Sequence, residues 1–234
     1  MSDVMRVIRA RETARVPFEP GQRVSEGDLE QILEAARWGP TAHNMQNFDI
    51  IVVDDPATLA ALAKLRNPVS MEFVRENYAQ LSFSEEELKR RKVGILAARF
   101  PPAWRNPDAT PEEIAAAQRP LPMSPTMLFV TYDPSRRAPA SEGDFLGVIS
   151  LGCVTENMWL TATALGISFH IVSSFGVGRV EAEVKRILGV PASLRIVYAI
   201  RLGYAEPGAD TGLHVRREIA DFTHRNRFGR RERA

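Results

Sequence analysis

The stretch GPTAHNMQNFDIIVVDD, Gly39 to Asp55, sets a glycine, two Asn and a Gln directly before a run of apolar and aromatic residues. The β-branched part, bounded on both sides by turn formers, predicts a short buried strand. Just upstream, SEGDLEQILEAARWGP opens on Ser25 with Asp28 three residues on, the spacing of a capping box with Asp in the Glu position. Leu29, Ile32, Leu33 and Ala36 then recur at helical spacing, and Gly39-Pro40 ends the run. A helix therefore leads straight into a polar, small-residue mouth and then a strand. An ordinary helix-to-strand turn explains that mouth by itself.

Working outward, ATLAALAKL, the stretch Met71 to Leu81 and the stretch Ser84 to Arg99 read as helices. TMLFVTYD reads as a strand, SFHIVSS as a strand or loop, VEAEVKRILG as a helix closed by Gly189, and SLRIVYAIRLGYA as the clearest strand in the chain. Between them lies FPPAWRNPDATPEEIAAAQRPLPMSP, which holds seven of the 16 prolines and predicts a loop-rich excursion with one short helix near Pro111 to Gln118. Long excursions of this kind serve as lids, as specificity elements or simply as surface. With no repeat and no low-complexity linker, the expectation is one α+β domain over residues 1–234 with an insertion at about 66–122.

Composition bounds the function classes. The chain has 234 residues, 44% hydrophobic and 25% charged, enough to form a core without disulfides or metals. Its one cysteine, Cys153, fits a reducing compartment, and Met1 to Arg15 carries charges that leave no apolar signal core, so a cytoplasmic protein is expected. Phe145 to Ile167 is long enough to span a membrane, but Glu156, Asn157, three Thr and a Ser argue for a helix buried in protein. A net charge of +1 gives no overall pull toward nucleic acid. The charge is uneven, since the segment from Arg216 carries seven Arg against Glu218, Asp221 and Glu232.

Several chemistries are absent. His43, His170, His214 and His224 have neither i, i+4 pairing nor a Cys at metal-ligand spacing, so no metal site is expected. There is no nucleophile elbow and no phosphate-binding Walker loop, and the glycines at Gly176 and Gly178 lack the third member of a dinucleotide fingerprint. Cys153, in an apolar helix, reads as an inert core thiol. What remains is RETAR, with Arg11, Thr13 and Arg15, a mixture of forked cations and a short donor that suits a phosphomonoester, and HVRRE, with Arg216 and Arg217. Alone, either cluster also reads as a solvated face.

Taken in order, the motifs resemble one family. Arg11 to Arg15 resembles the R-x-S-x-R opening of the FMN-dependent nitroreductases, with Thr13 in place of Ser. PTAHNMQNF, Pro40 to Phe48, is similar to their P-S-x-x-N-x-Q-P-W segment, ENMWLTATALGI to Q-N-x-x-L-A-A-x-x-L-G-L, IRLGY to a late strand, and RREIADFTHRNRFG to the closing motif. The resemblance runs over nearly the whole chain except Arg66 to Pro122. It implies an α+β nitroreductase-like fold, a mixed, mainly antiparallel sheet flanked by helices, in an intertwined homodimer.

Residue by residue, the resemblance implies that Arg11, Thr13 and either Arg216 or Arg217 hold the FMN phosphate, with Glu12 in the same segment. Arg15 would meet the ribityl chain or the pyrimidine edge, where a cation stabilises reduced flavin. Pro40, Thr41, Ala42 and Asn44 would reach the flavin of the partner subunit, and the backbone N–H groups of Ser173 and Ser174 would lie near flavin N5. His43, Asn47, Phe100 and Trp104 are substrate-wall candidates, and no side-chain acid or base is obligatory. Asn47 in place of Pro, Phe48 in place of Trp and the presence of His43 depart from the family pattern. Gly147, Ser150 and Gly152 would let a second helix pack closely at a dimer interface.

The implied activity is transfer of hydride from NADH or NADPH through FMN to a nitroaromatic, quinone or similar small electron-poor molecule. Reductive dehalogenation, azoline oxidation and oxygen-dependent flavin breakdown are alternatives on the same fold. Nucleic-acid or partner binding through the Arg-rich C-terminus is the non-enzyme alternative, set against an expectation of no nucleic-acid and no membrane partner.

Overall fold

The computed structural model describes residues 2–66, 69–75, 86, 90, 102–106, 108–117, 119–206, 208–209 and 216–230. They fall into two compact units, Met1–Pro68 with Arg119–Thr211, and Val69–Gln118 with Gly212–Ala234.

In the first unit the elements run α1 (Asp3–Ala10), α2 (Glu26–Arg37), β1 (Asp49–Val53) and α3 (Pro56–Leu62), then β2 (Thr126–Tyr132), a long helix Phe145–Ala164, β3 (Ser168–Val172), a helix Gly178–Leu188 and β4 (Arg195–Gly203). The second unit contributes the short helix α4 (Pro111–Ala116), so the long helix is α5, Gly178–Leu188 is α6, and α7 is Ile219–Phe222.

Among the described residues the sheet has four strands in the order β1-β2-β4-β3, each pair antiparallel. Side chains alternate across it. Leu128 and Val130 of β2 join Ile32, Leu151, Val154 and Met158 beneath α2 and α5. Met127 and Phe129 join Leu62, Val172, Phe175 and Val184 beneath α3 and α6. Every residue of β2 is buried, as a strand covered on both faces must be. The register between β2 and β4 jumps where Val130 pairs with Tyr198 but Thr131 pairs with Ile196, leaving Val197 over as a bulge. That extra residue lets Ile196 and Ala199, three apart, enter the same core.

Local chemistry sets the helix ends. Ser25 Oγ accepts from Asp28 N at 3.1 Å and donates to the Asp28 carboxylate at 2.7 Å. The Asp at this position turns to the serine hydroxyl, so the first-turn cap is one-sided. α6 ends on Gly189 at φ 68°, a left-handed cap suited to glycine. One helical span, Glu142–Ala164, is long and apolar enough to cross a membrane, and 33% of its apolar window is buried.

In the second unit α4 starts with a two-way capping box between Thr110 and Glu113, with Pro111 in the first turn. It agrees with the short helix expected near Pro111 to Gln118. Val74, Trp104, Ala109 and Ile114 form a small core there. Residues 71–75 are helical. The rest of the stretch predicted as helix from Met71 to Leu81, and nearly all of that from Ser84 to Arg99, lie outside the described residues.

Candidate functional site

The Arg11–Arg15 segment leaves α1 at its C-terminus, where Arg11 N–H caps the Val7 carbonyl. The segment then crosses the end of α5 and the edge strand β3. Trp159 Nε1 of α5 donates to the Glu12 carbonyl at 2.9 Å, Ala14 N donates to the Phe169 carbonyl at 3.0 Å, and Arg201 Nη2 donates to the Val16 carbonyl at 3.0 Å. Alternate peptides of the segment are thus tied to three different elements. Trp159 also stacks on Phe169, ring centroids 4.9 Å apart and planes at 16°.

The same indole also meets a cation. The Arg11 guanidinium carbon stands 4.4 Å from the Trp159 ring centroid, and its Nε is 3.7 Å from a Glu156 carboxylate oxygen. The indole face attracts the cation, while the carboxylate is too distant for a hydrogen bond. Thr13 is half-buried and Arg15 exposed. The structure therefore brings Arg11, Glu12, Thr13 and Arg15 together on a rigid backbone.

The Pro40–Asn47 segment has an unusual backbone. His43, Asn44 and Gln46 have φ of 51°, 52° and 47°, a left-handed conformation that is uncommon outside glycine. It is held by a local network. Ala42 N donates to Ser150 Oγ at 2.9 Å, Gln46 N to Thr41 Oγ1 at 3.1 Å, and Gln46 Nε2 to Asn44 Oδ1 at 3.1 Å. Backbone held in a sparsely populated region is often associated with binding sites. Asn47 Nδ2 donates to the carbonyls of Asp133 and Arg136, each at 2.8 Å, so its amide group ties this segment to the loop after β2. Pro40, His43 and Asn44 are exposed, and Thr41 and Ala42 half-exposed.

Ser173 and Ser174 begin the 3-10 turn Ser173–Gly176 that follows β3, Ser173 exposed and Ser174 half-exposed. Of the residues expected to grip the phosphate from the other end of the chain, Arg216 and Arg217 belong to the second unit, where Arg217 lies 5.6 Å from the Phe222 ring centroid. Trp104 is buried in that unit's core, edge-on to Phe73 at 6.3 Å. Phe100 lies outside the described residues.

Two residues of this neighbourhood had no assigned role in the sequence reading. Arg201 of β4 is 4% exposed and makes three hydrogen bonds, and His170 of β3 accepts one of them at Nδ1, 3.1 Å away. Burial, the Arg201 cation and Arg15 together push the His170 pKa down to about 3, and burial lowers that of Arg201 to about 10. His170 is therefore neutral at physiological pH. A buried arginine in a strand of apolar residues was the available signal. Among the described residues no group of three or more His, Cys, Asp or Glu is placed to hold a metal.

Comparison with known proteins places this geometry. Residues 8–204 match the profile of the nitroreductase family. A Bacillus subtilis protein named "Putative NAD(P)H nitroreductase YdgI" is 23% identical over 120 residues, an alignment covering 42% of this chain and only 57% of that protein. Among solved structures, a nitroreductase family protein from Clostridium difficile superposes with a TM-score of 0.62 at 17% identity, covering 97% of this chain and 99% of that one. A nitroreductase with bound FMN from Bacteroides fragilis gives 0.57 at 20% identity, covering 95% and 98%. Another with bound FMN, from Desulfitobacterium hafniense, gives 0.53 at 20%, covering 92% and 94%. Identities this low speak for the fold, and the profile match over most of the chain speaks for descent. The chain belongs to the nitroreductase family.

Proposed function

We propose that the protein is an FMN-dependent oxidoreductase that takes hydride from NADH or NADPH and reduces a small electron-poor molecule such as a nitroaromatic or quinone. The observation that carries this reading is the pinned Glu12–Val16 backbone with the Arg11 cation stacked on Trp159. A forked cation already held against an indole face loses less freedom on meeting a phosphomonoester, and the hydroxyl of Thr13 adds a short donor two residues on. Arg11, Glu12, Thr13 and Arg15 would hold the cofactor from this subunit. The cofactors of the Bacteroides fragilis and Desulfitobacterium hafniense relatives support the choice of FMN.

When bound, FMN supplies two-electron exchange between the nicotinamide and the acceptor. The chain's part is to bind, orient and exclude water. Arg15 would offer positive charge to the pyrimidine edge, and the peptide N–H groups of Ser173 and Ser174 would offer donors near the reacting atoms. The left-handed turn at His43 and Asn44 presents backbone where a flat ring can be approached closely. The two electrons leave with the nicotinamide hydride, and protons taken up by the reduced product come from solvent, so no side-chain acid is required.

A homodimer forms part of this reading, because Pro40, Thr41, Ala42 and Asn44 would serve the partner's site. α5 carries an exposed apolar face at Phe145 (67% exposed), Val148 (65%) and Ile149 (46%), with Gly152 exposed beside it. A second copy would cover it. Gly147 and Ser150 instead turn inward, Gly147 against Tyr132 and Ser150 onto Ala42.

The test is an absorbance scan of purified protein supplied with FMN, followed by anaerobic titration with each nicotinamide. Flavin bands that bleach on addition of NADH or NADPH are expected. A colourless protein after FMN is supplied would overturn the reading.

A further inference from the structure

Arg201 is a buried cation whose partners include no carboxylate among the described residues. Its Nε donates to the Met123 carbonyl at 2.9 Å, Nη1 to His170 Nδ1 at 3.1 Å and Nη2 to the Val16 carbonyl at 3.0 Å, while its guanidinium carbon lies 4.1 Å from the Phe18 ring centroid. These four contacts come from three separated segments, the approach to β2, the strand β3, and the chain that follows Arg15. A guanidinium is suited to such a node, since its five donors diverge in one rigid plane. His170 can accept at Nδ1 only when that nitrogen is bare, so the proton of the neutral ring sits on Nε2. The charged groups that bear on the imidazole are Arg201 and Arg15, both cations, which keep the acceptor form in place.

Three long-range backbone anchors hold the chain from Glu12 to Val16, and Arg201 makes the one that follows Arg15. The Trp159 and Phe169 anchors hold Glu12 and Ala14 from one side. Beyond Val16 the chain is held further by the pairing of Pro17, Phe18 and Glu19 with residues 204–206. We infer that Arg201, with His170 as its acceptor, is a positioning residue that sets the Ala14–Val16 backbone, and with it Thr13 and Arg15, in register for flavin binding. This rests on the FMN reading above. The unopposed buried charge also adds to the positive field around the segment, which favours an anionic phosphate.

Lysine at position 201 keeps the charge but can neither reach three divergent acceptors nor stack on Phe18. Leucine at 170 removes the acceptor, and glutamine restores one in its side-chain oxygen. FMN dissociation constants from flavin fluorescence quenching, flavin midpoint potentials and apo-protein melting curves would be measured for wild type, Arg201→Lys, His170→Leu and His170→Gln. Loss of charge-assisted hydrogen bonds predicts FMN binding weakened about tenfold or more in Arg201→Lys. His170→Leu should weaken binding in the same direction, and His170→Gln should recover most of the wild-type affinity. The midpoint potential should become more negative in Arg201→Lys and His170→Leu, because Arg15 is less well placed to stabilise reduced flavin. If Arg201→Lys fails to fold, the His170→Leu and His170→Gln pair decides. A folded His170→Leu protein whose FMN affinity and potential equal wild type would overturn the inference and leave the functional reading intact. Wild type that takes up no FMN would overturn both.

Discussion

Gly39 lies directly against the backbone of Val154. A Cβ at Gly39 would stand 2.7 Å from Val154 Cγ2 and 2.8 Å from Val154 Cα, closer than carbon atoms pack, and one of the two is main chain that cannot swing away. Gly39→Ala should therefore push α2 off α5, destabilising the fold by roughly 1–3 kcal/mol, about 2–4 °C of melting temperature per kcal/mol at this chain size. Thermal denaturation followed by circular dichroism checks it. An unchanged melting temperature would mean that the two helices do not meet as described.

Asn47 predicts a local effect. Its amide closes the loop after β2 through the Asp133 and Arg136 carbonyls. Asn47→Leu keeps the size and removes both donors, at a cost of about 1–2 kcal/mol. Arg136 and Arg137 are exposed in that loop, so limited trypsin digestion should cleave there faster in the variant than in wild type. Equal cleavage rates would contradict the tie.

Glu181 gives a pH dependence. Burial works against its charge, but Arg195, the Ile196 N–H and Lys185 outweigh it and hold the carboxyl below its ordinary value of 4.5. A pKa depressed in the folded state contributes stability that is present above the unfolded value and lost as pH falls through the folded one. Glu181→Gln should be less stable than wild type at pH 7, and the difference should shrink as pH drops below about 4.5. Urea unfolding at pH 7, 5 and 4 measures this. A gap that stays constant with pH would refute the assignment.

The exposed face of α5 sets the fourth expectation. Val148→Glu together with Ile149→Glu puts charge where a second copy would bury apolar surface. Light scattering should give a mass about twice the 26.1 kDa chain for wild type and near the chain mass for the double variant. A monomeric wild type would remove the dimer from the functional proposal.

Much of this architecture could be read from the residues alone, for physical reasons. Leu29, Ile32 and Ala36 repeat at helical spacing and are buried in α2. The apolar runs became β1, β2 and β4; β2 is buried on both faces, whereas β1, read from its β-branched run as a buried strand, lies at the sheet edge with only Val53 buried. The Arg11–Arg15 segment was picked out by residue type, but its rigidity was hidden, because its anchors are an indole, a strand carbonyl and a guanidinium more than a hundred residues away. Asn47 was equally opaque, as its partners are main-chain carbonyls that carry no side-chain signature. The Val197 bulge escaped notice because β4 is apolar on both sides, so slipping by one residue leaves no mark in the pattern.

The left-handed residues His43, Asn44 and Gln46 bear on how this protein could be altered. Randomising those positions would sample side chains against a torsional filter. Gly, Asn and Asp would survive selection, whereas Val, Ile and Thr would be lost before their chemistry was ever tried. Diversity in this segment is better placed at neighbours with ordinary torsions, such as Thr41 and Ala42, whose backbone imposes no such filter.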